Sequence, residues 1–485
     1  MKRARPSPRT RSRLAISVGL FLGAASGVGL ALAAPLALSA TTATAEHPLL
    51  EAGQDAGRDV GQEAGILVDV THLPPLLTVP GEDVHLRYDI HCVPTREPID
   101  SESCSGRGSV FIRAGEAGSF TELPLRRDAA AEEGRYVAGV PGEIARSSRG
   151  FTYYAILSAA PRGPSVTLPQ SGADGPQRSL PMDRAVQVRL GPHVFGTLRG
   201  PDARVASASW GEGNGDVGLE PGRGIPPTGG SSFDVDASGT VHVLDHVHRR
   251  VLRWRARTPN PHSIPLSTAG TLADLSIAED GTMYVLEGAR AGERPLLHAF
   301  DGGGQPLGTA ELTERTVSQV RLGDERPVVL QQPSGLWIPV SVGRSSRPDT
   351  VGVSEASPGR RLPSGGEVVV LRRGNEIRAA IVDAGGRVLR SWRVTSATPL
   401  AEVQLAEPRG ARLVLVVRVY AETRDEFEVL VLGPKGLESA VSLDSADWAE
   451  SAPLSRFRLV GSSLYQLGST SAGLFVDRFD LEVTS

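Results

Sequence analysis

Three histidines stand within seven residues of this chain: His242, His246 and His248. Imidazole nitrogens are good zinc ligands, so the cluster raises a metal reading. All three fall on one strand-and-turn stretch, which equally fits structural or surface histidines. Just upstream, Asp234-Val-Asp236-Ala-Ser238-Gly239 resembles the opening of a calcium loop. That loop needs a bidentate Glu at its twelfth position, because calcium takes 6–8 oxygens. Position twelve is Asp245, one carbon shorter, and Asp with Gly is also what a tight hairpin turn requires. Nucleophile signatures are absent: there is no Gly-x-Ser-x-Gly elbow, and Gly468-Ser-Thr-Ser-Ala-Gly473 has the wrong spacing. Beyond the first 45 residues the only lysine is Lys435, with no glycine-rich phosphate loop before it, so a Walker-type nucleotide site is excluded. These residues point to no catalytic set and no cofactor.

The elements that would carry them begin with an address. Lys2, Arg3, Arg5, Arg9, Arg11 and Arg13 precede an uncharged apolar run over residues 14–40, and Ala43-Thr44-Ala45 comes next. A basic start, an apolar stretch and small residues at −3 and −1 are the requirements of a secretory signal, predicting cleavage after Ala45. The run is also long enough to span ~30 Å of hydrocarbon, so an uncleaved anchor over 14–40 is the competing reading. Removing the six basic residues leaves 45 basic against 55 acidic, a charge of −10. That balance, with arginines scattered rather than clustered, argues against nucleic acid or an anionic membrane surface as partner. Secretion to the periplasm, cell envelope or medium is expected, with membrane contact only through the uncleaved N-terminal segment.

Residues 46–65 carry Gly53, Gly57, Gly61 and Gly65. Each glycine would cost a helix about 1 kcal/mol relative to alanine, so this reads as a solvated linker. From residue 66 onward strand signals dominate. Short alternating or β-branched runs at 66–70, 83–92, 109–113, 136–140, 151–159 and 185–190 are separated by turn residues. They predict a β-sandwich of immunoglobulin-like type over 66–191, with a small barrel as competitor. Cys92 and Cys104 fall inside it, and an exported chain with two cysteines is expected to pair them. Closing so short a loop would remove roughly 3 kcal/mol of unfolded-state entropy. A redox pair would sit closer, as in Cys-x-x-Cys.

Residues 233–254 read strand, turn, strand, turn, strand, and 275–287 repeat the first part. Gly239 and Gly281 lie 42 positions apart, the length of one propeller blade. Asp301 and Asp383, each heading an Asp-x-Gly-Gly hairpin signature or its close variant, are 82 apart, two blade lengths. At Gly239, Val243, Asp245, Arg250 and Val251 the first unit resembles an NHL-type β-propeller repeat, with His248 where Asn is usual and His242 where Tyr is frequent. The resemblance implies that Asp245 and Arg250 tie one blade to the next. It also raises a precedent, since some such propellers are metal-dependent lyases and related ones lactonases, with ligands drawn from several blades. Strand clusters at 317–343, 367–396, 400–443 and 457–481 complete about six blades over 192–485. Ring closure by 193–198 or 204–209 would remove an exposed sheet edge. Trp210, Trp254, Trp337, Trp392 and Trp448 come about one per blade. They suit packing between blades, or a solvent-facing ring that stacks sugars.

The sequence thus predicts an all-β chain, a β-sandwich followed by a roughly six-bladed propeller. Its expected role is an exported, non-catalytic protein or glycan binder. A metal-dependent lyase or lactonase on the propeller's top face and a carbohydrate-binding envelope component are the alternatives.

Overall fold

The computed structural model describes residues 66–481 except 95–105, 129–133, 160–164, 170, 223–224, 257, 259, 290–292, 313–315, 325, 333–334, 344–356, 358 and 452–454. The expected signal and linker, residues 1–65, lie outside the described residues, as does Cys104, and nothing is described of the Cys92 side chain. The expected disulfide therefore rests on sequence alone. Among the described residues no helix is long and apolar enough to cross a membrane.

Two sheets form the first part. One orders Ile66–His72, His85–Pro94, Arg135–Gly139 and Arg126–Arg127. The other orders Leu77–Thr78, Gln177–Pro181, Phe151–Ala159, Gly106–Ala114 and Thr121–Pro124, with Ser165–Leu168 also on Phe151–Ala159. Alternation does the sorting: Leu86, Tyr88 and Ile90 point inward and meet Val110, Ile112, Phe151, Tyr153 and Leu157, while Arg87 and Asp89 between them face out. Each such side chain contributes about 1.5–3 kcal/mol by leaving water.

One polar ring enters this core. His72 stacks on Tyr88 with ring centroids 4.2 Å apart. Its Nδ1 faces the Arg87 carbonyl at 2.6 Å and its Nε2 the Tyr153 hydroxyl at 2.8 Å. With Nδ1–H donating, Nε2 accepts from Tyr153, and the neutral ring is fully used. Burial pushes the His72 pKa down to about 4. The unfolded chain, near 6.5, therefore takes up the proton first as pH falls. Stability is full above pH 6.5 and declines between 6.5 and 4, by about 1–2 kcal/mol at pH 5. Urea unfolding at pH 7 and 5 is expected to show this loss in the native protein and a smaller one in His72→Gln; an equal loss in both would reject the assignment.

The second part contains six sheets radiating from one axis. Blade 1 is Ser232–Val235, Val241–Asp245, Arg250–Trp254 and His262–Pro265. Blade 2 is Leu272–Ile277, Met283–Glu287, Leu296–Phe300 and Pro306–Glu311, and blade 3 is Val317–Leu322, Pro327–Gln331 and Trp337–Pro339. Blade 4 is Arg360–Arg361, Glu367–Arg373, Glu376–Val382 and Val388–Ser396. Blade 5 is Leu400–Arg409, Arg412–Ala421, Arg424–Gly433 and Gly436–Asp444. Blade 6 is Phe457–Val460, Ser463–Thr470 and Gly473–Asp480, completed by Ala203–Ser209, which runs antiparallel to Gly473–Asp480 and closes the ring. Of the two expected closing segments, 204–209 does this. The other ends at Leu198, which bridges Ser442 on the rim of blade 5.

Gly239 and Gly281 occupy the same turn in blades 1 and 2, with φ of +80° and +84°. A side chain there would be strained, which is why the spacing marks the blade. Asp301 and Asp383 head the equivalent outer turns of blades 2 and 4, where each backbone N–H pairs with the carbonyl four residues on.

One strand belongs elsewhere than expected. The sequence pattern places residues 185–190 in the sandwich, yet Val186–Leu190 pairs in parallel with Val388–Ser396 as a fifth strand of blade 4. Val188, with Val186 and Leu190, packs beside Trp392 and Val394 in the core between blades 4 and 5. Alternation gives a strand one apolar face but does not say which sheet receives it. The two parts are also fused: Leu76, Leu77, Leu180 and Met182 pack with Val369, Ala380 and Val382 of blade 4.

Candidate functional site: the propeller axis and the histidine blade

The first strand of every blade faces the axis, and each brings one charged side chain there. They are Asp234, Asp274, Arg321, Arg360, Glu407 and Arg458 from blades 1 to 6 in order. Asp274 is fully buried. Its Oδ1 accepts from Ser232 Oγ at 2.5 Å, Ser455 Oγ at 2.7 Å and Arg458 Nη2 at 3.3 Å. Its Oδ2 accepts from the Val320 N–H at 2.9 Å and Arg321 Nη1 at 2.6 Å. Arg458 Nε also lies 3.2 Å from Asp234 Oδ1, and Arg360 Nη2 donates to Glu407 Oε2 at 2.6 Å. Three cations and three anions thus interlock where the blades converge.

Burial alone would raise the Asp274 pKa, but Arg321, Arg458 and the two serine hydroxyls outweigh it and hold the carboxyl below its usual range. Burial, with Arg321 facing it, lowers Arg458, while Asp234, Asp274 and Glu407 oppose that shift. A carboxylate with five donors has no lone pair left to act as a base or bind a cation. The arrangement braces the ring and fills its axis.

Sequence reasoning misses this cluster. Its signal is one charge inside each short apolar strand: Phe233-Asp234-Val235, Ala273-Asp274-Leu275, Val320-Arg321-Leu322 and Phe457-Arg458-Leu459.

The three histidines do not converge. His242 Nε2 lies 3.4 Å from Asp236 Oδ2, and His246 Nε2 lies 3.9 Å from Glu220 Oε2. Burial lowers the pKa of both, helped at His242 by Arg253. His248 sits between Asp245 Oδ2 at 2.7 Å and Glu212 Oε2 at 2.9 Å. Its partial burial pulls its pKa down, but those two carboxylates outweigh it and raise it. Among the described residues no group of three or more His, Cys, Asp or Glu is placed to hold a metal.

The calcium-loop residues are likewise engaged. Asp236 Oδ1 accepts from Ser238 N, Ser238 Oγ and Thr240 N, so it caps its own hairpin turn. Asp234 accepts from the Ile277 N–H of blade 2 at 2.8 Å.

Asp245 and Arg250 bond each other, Nε to Oδ2 at 2.9 Å, within blade 1. Arg250 Nη2 then donates to the carbonyls of Gly213 and Asp216, and the Gly218 N–H donates to Asp245. The expectation that this pair ties one blade to the next is therefore corrected: it ties blade 1 to segment 211–218, which arrives from the ring-closing strand. The repeat pattern specifies the pair but not the long connection that blade 1, as the first blade after closure, has to anchor.

The tryptophans do not form one ring. Trp392 is completely buried and donates to the Gly433 carbonyl at 2.9 Å, and Trp254 is buried between blades 1 and 6. Trp448 is 40% exposed beside Trp210, centroids 6.0 Å apart.

No protein-family model matches the chain, and no curated protein matches it. Among solved structures it is similar to an auxiliary nutrient binding protein from Bacteroides thetaiotaomicron, at 9% identity over 86% of this chain and 98% of that one, with a TM-score of 0.32. Streptogramin B lyase is 7% identical over 56% of this chain and 97% of its own, with a TM-score of 0.29. YCF48 bound to a D1 peptide is 12% identical over 59% of this chain and 100% of its own, with a TM-score of 0.30. Likenesses this distant leave the activity to be read from the chain itself.

Proposed function

We propose that this is an exported, non-catalytic binding protein of the cell envelope or extracellular space, an immunoglobulin-like sandwich joined to a propeller of NHL-type repeats. One observation carries the reading: the charged groups at the propeller axis, where ligands of several blades would have to meet, are already neutralised by one another. Recognition of a protein or glycan then falls to the outer surfaces. Export is inferred from the basic, apolar and small-residue order of residues 1–45.

The test is the full chain expressed with its own N-terminus in a bacterial host. The exported product is expected to begin at Glu46 and to contain far less than one zinc or calcium per chain by elemental analysis. One metal per chain that disappears in His248→Ala would replace this reading with the metal-dependent lyase.

A further inference from the structure

Beside the seam where the ring closes, blades 6 and 1 leave an open groove of about 1070 Å³. Its charged lining side chains are Arg204, Arg255 and Arg478; hydroxyls of Ser207, Ser238 and Ser463 stand among them, and none of its lining residues is a carboxylate. In a chain whose residues 46–485 carry −10, the charged side chains lining this concavity are all cations, set among hydroxyls and small apolar residues.

The three arginines are held differently. Arg204 is fixed by two bonds to Asp477, at 2.8 and 3.0 Å, and its guanidinium lies 3.8 Å over the Phe475 ring. It remains half exposed, with N–H groups beyond those two. Arg478 Nη2 reaches Asp480 at 3.2 Å. Arg255 is exposed, and its guanidinium has no hydrogen bond or ion pair among the described residues. Behind the groove wall the Trp254 indole N–H is buried and has no acceptor among the described residues, so it is not a contact for a ligand in the groove. The lining thus supplies fixed, half-fixed and free cations along one depression, while the Ser238 and Ser463 hydroxyls donate to Asp236 and Asp480 and keep oxygen lone pairs to accept from a ligand.

We propose that this groove binds a short acidic oligosaccharide, its carboxylates on the arginines and its hydroxyls on the serines. This deepens the binding reading above and rests on it. The volume is in the range of sites for multi-ring ligands and far exceeds what a single ion fills. A nucleotide fits poorly, because Trp254 and Tyr465, the aromatic lining residues, are both buried and offer no open face for a base.

Calorimetric titration of the exported chain with trigalacturonate tests this, with maltotriose and inorganic sulfate as comparison probes. Trigalacturonate is expected to bind, at least tenfold more weakly in Arg255→Glu and again in high salt, while Arg189→Glu on the far rim of blade 4 leaves affinity unchanged. Because Arg255 is exposed and its guanidinium has no partner among the described residues, its variant is expected to melt with the native protein. Absence of trigalacturonate binding, equal affinity for maltotriose, sulfate binding as tightly, or undiminished affinity in Arg255→Glu would each overturn the site. Those results leave metal content untouched, so failure of the groove is distinguishable from failure of the binding reading.

Discussion

Replacing Asp274 by asparagine is expected to lower stability by about 3–5 kcal/mol, the cost of stranding buried charge. The side chain keeps its shape, but Arg321 and Arg458 lose the anion between them. The axis then holds three cations against Asp234 and Glu407. For a fold of this size the melting midpoint should fall by roughly 5 °C. Removing Arg458 as well, as Asp274→Asn with Arg458→Met, restores two charges of each sign and is expected to recover part of the loss. An unchanged midpoint in the single variant, or a double variant no better than it, would reject the interlocked axis.

The same residue sets an acid limit. Its folded pKa is depressed from 3.8, so its contribution is complete above about pH 4 and fades as pH falls through the folded value. Asp274→Asn should therefore differ from the native protein less at pH 2 than at pH 7.

Arg378→Met is expected to uncouple the sandwich from the propeller. Arg378 is almost fully buried at their junction. Its guanidinium meets Glu82 at 2.7 Å and Glu376 at 2.5 Å, and donates to the Leu77 carbonyl at 2.9 Å. Methionine keeps the apolar stem but leaves two carboxylates and a carbonyl short of a donor, again about 3–5 kcal/mol. Calorimetry should resolve two transitions in place of one, and amide exchange should rise first along Leu77–Thr78 and Gln177–Pro181. A single transition at the native midpoint would mean that the cluster of Leu76, Leu77, Leu180, Met182 and blade 4 suffices alone.

Much of the architecture is legible in the chain because its signals are local. A tight turn needs glycine at positive φ, so Gly239 and Gly281 record the blade length in their spacing. Asp245 and Arg250 are readable as a pair because they face each other across adjacent strands. The segment they hold, 211–218, is not, since nothing local says which passing chain will offer carbonyls to Arg250.

Sequence alone determined the all-β class, the blade repeat and the acidic charge of residues 46–485. Each is a property of residues near one another in the chain, or of composition. Tertiary structure alone decided that Val186–Leu190 completes a propeller blade, that six separate charges interlock on the axis, and that the histidines part company to separate carboxylates. These outcomes depend on contacts between strands up to about two hundred residues apart, as between Val188 and Val394 or Asp274 and Arg458. Period-two alternation fixes which face a side chain takes; ring closure alone fixes what stands opposite it.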